Sequence, residues 1–436
     1  MKKTIAILLV AVLAVSSVFA GFTLSGEANV SLKGDFDAKT LGFKNGDNKV
    51  KVAIEGATAE KVNEGDIYAG IKAVLELDLG ATTYVEINKE VLKEIEDGHY
   101  DNLDKLLVEK AADFIKVKTL KVKEAYITDG NWKLSILSAA ATPTFAKGWE
   151  TVKNADDETK DVVLKPAVDK DIPGLTLEVA GWKAGVGLDV NFNEGKGKNV
   201  LATVATPSFT FDAVSVKAGA GFARKEGKYS VGGGAEAKYA TDVVSATVAA
   251  DAVYKEGADF EAAVRANVAV APVTVDAFFA KTTDLMKKVN TYVDRAYAGA
   301  GAKKNYLSAK VVGDLNSFDV PVTITAAGLD LINDQYFDVE AKATISGVNG
   351  TVYGGYQISN KTYHVGVAAD YTLETVGKIY GQFTLAGAEK LSSAAVKVGV
   401  ENTTLVSGAT LKLEYAGADF VAKKAGAVTA SAQIKF

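Results

Sequence analysis

Apolar and polar residues alternate along most of the chain with a period of two. Between residues 22 and 36, every even position is apolar or glycine and every odd position is polar or charged. Alternation of this kind is typical of a β-strand with one apolar face and one polar face. The same pattern predicts strands at residues 182–192, 214–222, 229–239, 244–254, 260–270, 337–345, 363–371, 411–415 and 426–436. The chain is therefore predicted to be all-β.

The predicted strands are long enough to cross a bilayer. The strand from Tyr229 to Tyr239 rises some 25 Å at roughly 3.3 Å per residue and a tilt of about 40°, the height of the lipid-facing band of an outer-membrane barrel. Aromatic residues end further strands at Phe192, Phe222, Tyr254, Phe279, Tyr371 and Tyr415. They indicate girdles at the two membrane interfaces, and aromatic capping of a soluble core is the less favoured interpretation.

The connections between predicted strands alternate in length. Short turns are expected at residues 180–181, 212–213, 241–242, 271–272, 349–350 and 374–375. Longer polar connections are expected at residues 193–199, 224–228, 255–259, 281–305, 329–335 and 416–425. Short turns at one rim and long loops at the other are typical of an up-and-down barrel in an outer membrane.

The strand count places the barrel near 22 strands. Seventeen strands are predicted from residue 175 onward, and six before it, at residues 22–36, 49–55, 67–79, 82–87, 120–128 and 131–138. Because bacterial single-chain barrels have even strand numbers, this total contains one error. We predict a single transmembrane antiparallel barrel of about 22 strands, within a range of 18 to 24. Side chains cannot fill so wide an interior, which leaves a channel or a lumen closed by infolded loops.

Three inserts interrupt the strand pattern. Residues 88–116 have apolar residues at helical spacing, as do residues 283–297, and both predict helical inserts. Such an insert either folds into the pore as a constriction or packs at the rim, and we favour the rim. Residues 148–173 are expected to form a polar loop whose acidic cluster, Asp156, Asp157, Glu158 and Asp161, is either a calcium site or a solvated charge run. Without the spacing of an EF-hand, the solvated run is favoured.

The two ends of the sequence indicate export and barrel assembly. Lys2 and Lys3 precede an apolar stretch at residues 5–15 and the small-residue exit Val18-Phe19-Ala20, which predicts a signal peptide cleaved after Ala20. Residues 21–436 are then the barrel, located in the cell outer membrane with the lipid bilayer as its surroundings. The final strand alternates up to Phe436 and resembles the closing strand that the barrel-assembly machinery of bacteria recognises.

Composition excludes several kinds of protein. The 49 Lys and Arg against 54 Asp and Glu give a formal charge of −5, which excludes a nucleic-acid binder that works by net positive charge. The absence of cysteine excludes disulfides, thiolate zinc sites and iron–sulfur clusters. We expect no cofactor and no metal. With His99 in the first helical insert and His364 facing the lumen, no catalytic triad is evident, so an outer-membrane hydrolase is the disfavoured rival and no enzyme is expected.

The inward-facing positions carry many charged residues. By strand parity the candidate pore-lining residues are Lys183, Asp189, Lys217, Glu236, Lys238, Glu261 and Arg265. Charges in such number are costly in a dry core, which predicts a hydrated lumen. The pattern favours a porin, a passive diffusion channel for small hydrophilic solutes, and the acidic excess predicts a mild preference for cations. The alternative is an adhesin or structural barrel that displays its loops to host or neighbouring molecules.

Part of the sequence resembles a known family. The segments are Gly42-Phe43-Lys44-Asn45, the strand at residues 49–55, Tyr68-Ala69-Gly70 with residues 71–77, and residues 125–130. Over roughly the first 150 residues they resemble the treponemal major outer sheath (Tpr/Msp-like) proteins. The resemblance implies a surface-exposed outer-membrane porin of the spirochaete kind, a homotrimer, and adhesion to host matrix proteins.

Overall fold

The computed structural model describes residues 20–45, 49–57, 65, 67–78, 116–136, 140–153, 159–164, 167–168, 174–189, 199–225, 227–281, 291–292 and 305–435. These ranges are almost entirely β-structure, which confirms the all-β prediction. The helix described within them is a single 3₁₀ turn, Leu315–Phe318. Nowhere in these ranges is a helix both long and apolar enough to cross a membrane.

Twenty-seven strands are described. They are β1 (Ala20–Asp35), β2 (Thr40–Asn45), β3 (Lys49–Ala57), β4 (Tyr68–Asp78), β5 (Lys116–Thr128), β6 (Trp132–Ile136), β7 (Lys147–Lys153), β8 (Thr159–Val163), β9 (Gly174–Val179), β10 (Trp182–Asp189), β11 (Asn199–Ala205), β12 (Phe209–Phe211), β13 (Val214–Lys225) and β14 (Lys228–Ala240). They continue with β15 (Val244–Lys255), β16 (Glu261–Val270), β17 (Val273–Lys281), β18 (Thr291–Tyr292), β19 (Asn305–Asp314), β20 (Val322–Leu329), β21 (Tyr336–Ile345), β22 (Val348–Gln357), β23 (Thr362–Leu373), β24 (Gly377–Gly387), β25 (Leu391–Asn402), β26 (Ala409–Asp419) and β27 (Lys424–Lys435). All except β7, β8 and β18 belong to one 24-stranded sheet, and those three form a second, small sheet.

The large sheet joins its first strand to its last. β1 pairs with β27 from Glu27 opposite Lys435 to Asp35 opposite Ala427, and on its other side it pairs with β2 and β3. β2 and β3 pair with successive parts of β1, and β11 and β12 with successive parts of β13. Each of these two pairs occupies one strand position in the sheet. The 24 strands therefore form a continuous antiparallel ring with 22 strand positions, which we call staves, among the described residues. The predicted size of about 22 strands is confirmed.

The one-strand excess in the sequence count has an identifiable origin. β4 pairs directly with β5, from Tyr68 opposite Thr128 to Asp78 opposite Lys116. The ring therefore has no position between them for the strand predicted at residues 82–87, which themselves lie outside the described residues. The seventeen strands predicted from residue 175 onward are all staves of the ring.

Connections of different length lie at opposite rims. Because all pairings in the ring are antiparallel, the long connections at residues 79–115, 137–173, 190–198 and 282–304 fall at one rim, which we call the long-loop rim. The other, the short-turn rim, has the connections at residues 129–131, 180–181, 212–213, 271–272 and 346–347, and its longest connection is residues 58–67. The predicted asymmetry of the loops is confirmed, but two of the connections predicted as long, at residues 224–228 and 416–425, are wrong, because the chain turns at residues 226–227 and 420–423.

Several local predictions either disagree with the structure or concern residues that it does not describe. The turn predicted at residues 349–350 is wrong, since both residues lie inside β22; the chain turns at Ser346 and Gly347, whose φ angles of 52° and 82° suit a tight hairpin. Of the second predicted helix, Thr291 and Tyr292 are described, and they form strand β18. Of the first, the described part is Lys116, which begins β5, and the rest lies outside the described residues. Residues 1–19 and Phe436 also lie outside them.

Candidate functional site

The two faces of the ring differ in polarity. On one face large apolar side chains are exposed, with exposed fractions of 56% for Val186, 57% for Val352 and 53% for Leu413. The opposite face carries ion pairs and buried carboxyl and hydroxyl groups. Such an apolar band is stable against hydrocarbon, whereas the polar side chains require water or polar partners. We therefore call the polar face the inner wall and the apolar face the outer wall.

A stretch of chain between β6 and β9 packs against part of the inner wall. This inner segment comprises residues 140–153, 159–164 and 167–168 and includes β7 and β8. At one end the Thr203 hydroxyl on β11 donates to the Ala140 carbonyl over 2.9 Å. Within the segment, Ser308 Oγ on β19 donates to Glu150 Oε1 over 2.8 Å, and at the far end the Ser230 hydroxyl on β14 donates to the Ala167 carbonyl over 2.8 Å. The predicted solvated polar loop at residues 148–173 is therefore wrong for Gly148 and Glu150, which are buried, and for the strands β7 and β8.

Asp251 on β15 holds the middle of the inner segment. Its Oδ2 accepts hydrogen bonds from the backbone N–H groups of Phe145, at 2.8 Å, and Ala146, at 2.6 Å. The side chain is buried, so the two amides that leave water find a charged acceptor instead. One carboxylate of the wall thus holds two consecutive amides of the segment.

Apolar contacts cover the same region. A buried cluster joins Ala146 and Leu164 of the inner segment to the wall residues Ala249, Ala263, Phe278, Ala280, Tyr306, Leu329 and Tyr336, with Phe145 and Trp149 packed against it. Lys217 Nζ lies 5.4 Å from the centroid of the Phe145 ring, and Lys310 Nζ lies 4.9 Å from that of Trp149. Both distances suit cation–π contacts. The segment is a packed part of the fold over this half of the wall.

Two glycines on β13 allow the segment to approach closely. A Cβ atom on Gly219 would collide with the ring of Pro143, and one on Gly221 would collide with the hydroxyl of Thr142. Larger residues at these two positions would therefore push the segment away from the wall.

Glu150 is the most buried acid of the inner segment. Its side chain is 1% exposed, and Oε2 has no hydrogen-bond partner among the described residues. Burial raises the pKa of this carboxyl above its ordinary value of 4.5, and the nearby Asp276 carboxylate adds to the increase. The arrangement favours the protonated carboxyl while the segment lies on the wall.

Four of the predicted pore-lining residues lie in two charge clusters near the inner segment. Glu236 accepts both Lys217, at 3.1 Å, and Lys238, at 3.2 Å. Arg265 contacts the buried Asp276 through two nitrogens, Nε at 3.0 Å and Nη2 at 2.6 Å. Each cluster spans two neighbouring strands, so the sequence alone could not identify the partners.

The other three predicted residues are separate from these clusters. Lys183 Nζ lies 2.7 Å from Glu178 on the neighbouring strand, and Glu261 lies 3.5 Å from the Lys255 ammonium. Asp189 ends β10 opposite Asn199. The seven residues thus occupy several places along the wall, and the prediction that they line a water-filled pore stays a prediction.

A third charge cluster, which the sequence analysis did not identify, lies on β24 to β26. Glu414 Oε2 accepts the hydroxyl of Tyr380 at 2.7 Å and the ammonium groups of Lys397 at 3.1 Å and Lys412 at 2.8 Å. The Tyr380 ring lies over Gly399, with no side chain beneath it. None of the described hydrogen bonds, ion pairs or ring contacts joins the inner segment to this cluster. Strand parity alone would have placed Lys412 and Glu414 on the inner wall.

His364 belongs to a buried polar group at the long-loop rim. Its Nε2 lies 3.1 Å from Asp338 Oδ2, and the Tyr336 hydroxyl donates to the same oxygen at 3.0 Å. The Tyr336 and His364 rings are stacked, with centroids 5.9 Å apart. None of the described hydrogen bonds of His364 involves a serine, so the geometry gives no support to the hydrolase alternative.

Comparisons with known proteins leave the family open. No protein-family model and no curated protein matches the chain. Among solved structures, it is similar to the P pilus usher (PapC) translocation pore, with 9% identity, a TM-score of 0.37, and coverage of 95% of this chain and 99% of that one. It is also similar to Pseudomonas aeruginosa OprD, with 9% identity, a TM-score of 0.38, and coverage of 96% and 97%. A third similar structure is P. aeruginosa OccK2 in complex with glucuronate, with 8% identity, a TM-score of 0.37, and coverage of 96% of this chain and 99% of that one. Likenesses at this level say nothing about function.

Proposed function

We propose that this protein is an outer-membrane porin, a passive diffusion channel for small hydrophilic solutes. The observation that carries the proposal is the ring of 22 staves, joined from β1 to β27, with an apolar outer wall and a charged inner wall. In hydrocarbon every backbone amide needs a partner, and a ring without an edge meets that need. The function needs no chemical step, because a hydrated lumen replaces the desolvation barrier of the bilayer.

The inner segment would narrow the channel without filling it. Its hydrogen bonds reach the wall from β11 to β19 and its apolar cluster extends to Tyr336 on β21, while the cluster around Glu414 on β24 to β26 has no described hydrogen bond or ion pair with it. A ring of this size is wide enough to keep an aqueous passage beside such a segment. Solutes would therefore pass along the uncovered part of the wall.

Reconstitution into planar bilayers tests the proposal. We expect discrete conductance steps in potassium chloride, and heat-modifiable migration in detergent gels would independently report the folded barrel. A barrel that migrates as folded and inserts into vesicles, but conducts no current, would overturn the channel and favour display of the loops. The reversal potential in a salt gradient measures the predicted mild cation preference.

Further features remain part of the proposal. They are export with cleavage after Ala20, recognition of the final strand at Phe436 by the assembly machinery, a homotrimer, and adhesion to host matrix proteins as in the treponemal major outer sheath family. The N-terminal apolar stretch and the alternation of the final strand support the first two, and the resemblance over the first 150 residues supports the homotrimer and the adhesion. Mass spectrometry of the mature N-terminus and the mass of the detergent-solubilised protein measure the first and third of these.

A further inference from the structure

We propose that the inner wall between β23 and β26 holds a binding subsite for small zwitterions, such as free amino acids, on the path of the solute. The proposal rests on the channel function and names a solute class for it. An open cavity of about 270 Å³ lies here, lined by Asp370, Lys378, Tyr380, Lys397, Glu401 and Lys412. Its volume suits a small solute.

One end of the cavity has a surplus of positive charge. Lys397 and Lys412 both point to the single carboxylate of Glu414, which also accepts the Tyr380 hydroxyl. The side chains of Lys397 and Lys412 remain 42% and 32% exposed, against 18% for Glu414. Two ammonium groups that share one carboxylate retain donors for a second anion, and a solute carboxylate supplies one.

Glu401 supplies the opposite charge. It stands opposite Lys378 on β24 and opposite Lys412 on β26 in the pairing register. No described ion pair joins Glu401 to either lysine. The Lys378 ammonium instead lies 3.4 Å from Asp370, and the Lys412 ammonium contacts Glu414. Opposite charges thus face each other across neighbouring strands, about 5 Å apart at their Cα atoms, without contact.

A zwitterion would complete this arrangement. Its ammonium group would bind Glu401, its carboxylate would bind Lys397 and Lys412, and the uncharged middle would lie against the Tyr380 ring. An anion would satisfy the lysines alone and leave Glu401 unpaired. A neutral solute would form only hydrogen bonds without a charge of its own, which are weaker than those between opposite charges, so the wall discriminates against it.

Current block in planar bilayers tests the subsite, with alanine and its uncharged isomer lactamide as matched probes. We expect alanine to reduce the potassium chloride current in a saturable manner and lactamide to have no saturable effect. Lactate, the corresponding anion, should also block, because it binds the two lysines. The double variant Lys397→Gln with Lys412→Gln should weaken block by alanine and by lactate roughly tenfold. Glu401→Gln should weaken block by alanine alone and leave block by lactate intact.

The control is Lys183→Gln with Lys238→Gln, which removes two inner-wall lysines far along the ring and should keep the block by alanine. Equal effects of alanine and lactamide, or an alanine block that survives both subsite variants, would overturn the subsite while leaving the channel standing. A folded protein without conductance would overturn the channel. Block by lactate but not alanine would show a plain anion site and contradict the zwitterion.

Discussion

The inner wall has two regions that use similar charges in different ways. Under the inner segment, Asp251 and Asp276 are buried, and their partners are backbone amides and an arginine. On β24 to β26, Lys397, Lys412 and Glu414 form a comparable cluster that remains partly exposed. Burial removes the screening of water, so loss of a partner is costly in the first region and cheap in the second. The covered region thus fixes the structure, and the uncovered region is free to meet solutes.

The largest effect is expected for Arg265→Gln. Asp276 is 2% exposed at its side chain and accepts Arg265 and the Asn267 amide, so the variant leaves a buried carboxylate with one neutral partner. We expect a loss of about 3–5 kcal/mol in the free energy of unfolding, measured by urea titration of the folded protein in micelles. Lys412→Gln in the exposed cluster is the matched control and should cost less than about 1 kcal/mol. Equal urea midpoints for the two variants would contradict the distinction between the regions.

Asp251→Ala should release the inner segment without unfolding the ring. The amides of Phe145 and Ala146 lose their only described acceptor, which we expect to weaken docking by about 2–4 kcal/mol. Hydrogen exchange at these two amides should accelerate, and limited proteolysis within residues 140–153 should become faster. Asp370→Ala on the uncovered wall should change neither. Unchanged exchange at residues 145 and 146 would show that the apolar cluster holds the segment alone.

The contrast between the regions also shows what the sequence can predict. The staves follow from local alternation, because a strand with one lipid face and one polar face repeats its chemistry every second residue. Predicted and observed strands agree closely, as at β14, predicted at 229–239 and observed at Lys228–Ala240. The turn at residues 346–347 was missed because Asn349-Gly350, three residues later, is the stronger hairpin signal.

The inner segment could not be predicted from local pattern. Its anchor Asp251 lies 106 residues beyond Phe145 in the chain, so no periodicity links the two. The acidic residues at 156–158 favour a solvated loop, while the apolar residues that bury the segment, such as Trp149 and Leu164, lie too far apart to form a pattern. The partners of the predicted lumen residues could not be predicted for a different reason. They depend on the register between neighbouring strands, which a single bulge changes.

Docking of the inner segment should depend on pH through Glu150. Because the pKa of this carboxyl is higher on the wall than in water, docking is strongest at low pH and weakens as pH rises through the raised pKa. We expect the protection factors of the amides at residues 145 and 146, which correct for the intrinsic pH dependence of exchange, to fall over that rise. Glu150→Gln should abolish this dependence while keeping the bond from Ser308. A dependence that persists in Glu150→Gln would assign it to another group.

The smallest effect is expected for Lys183→Gln, although Lys183 is one of the residues that the sequence singled out. Its ammonium lies 2.7 Å from Glu178, but the side chains are 46% and 40% exposed, so water screens the pair and replaces it at little cost. We expect the free energy of unfolding, measured by urea titration, to fall by less than about 1 kcal/mol. The short distance alone would predict a cost like that of Arg265, whose pair with Asp276 is of similar length, at 2.6 Å. A loss above 2 kcal/mol for Lys183→Gln would show that exposure does not separate the two kinds of wall charge, and that the lumen near β9 and β10 is drier than its side chains indicate.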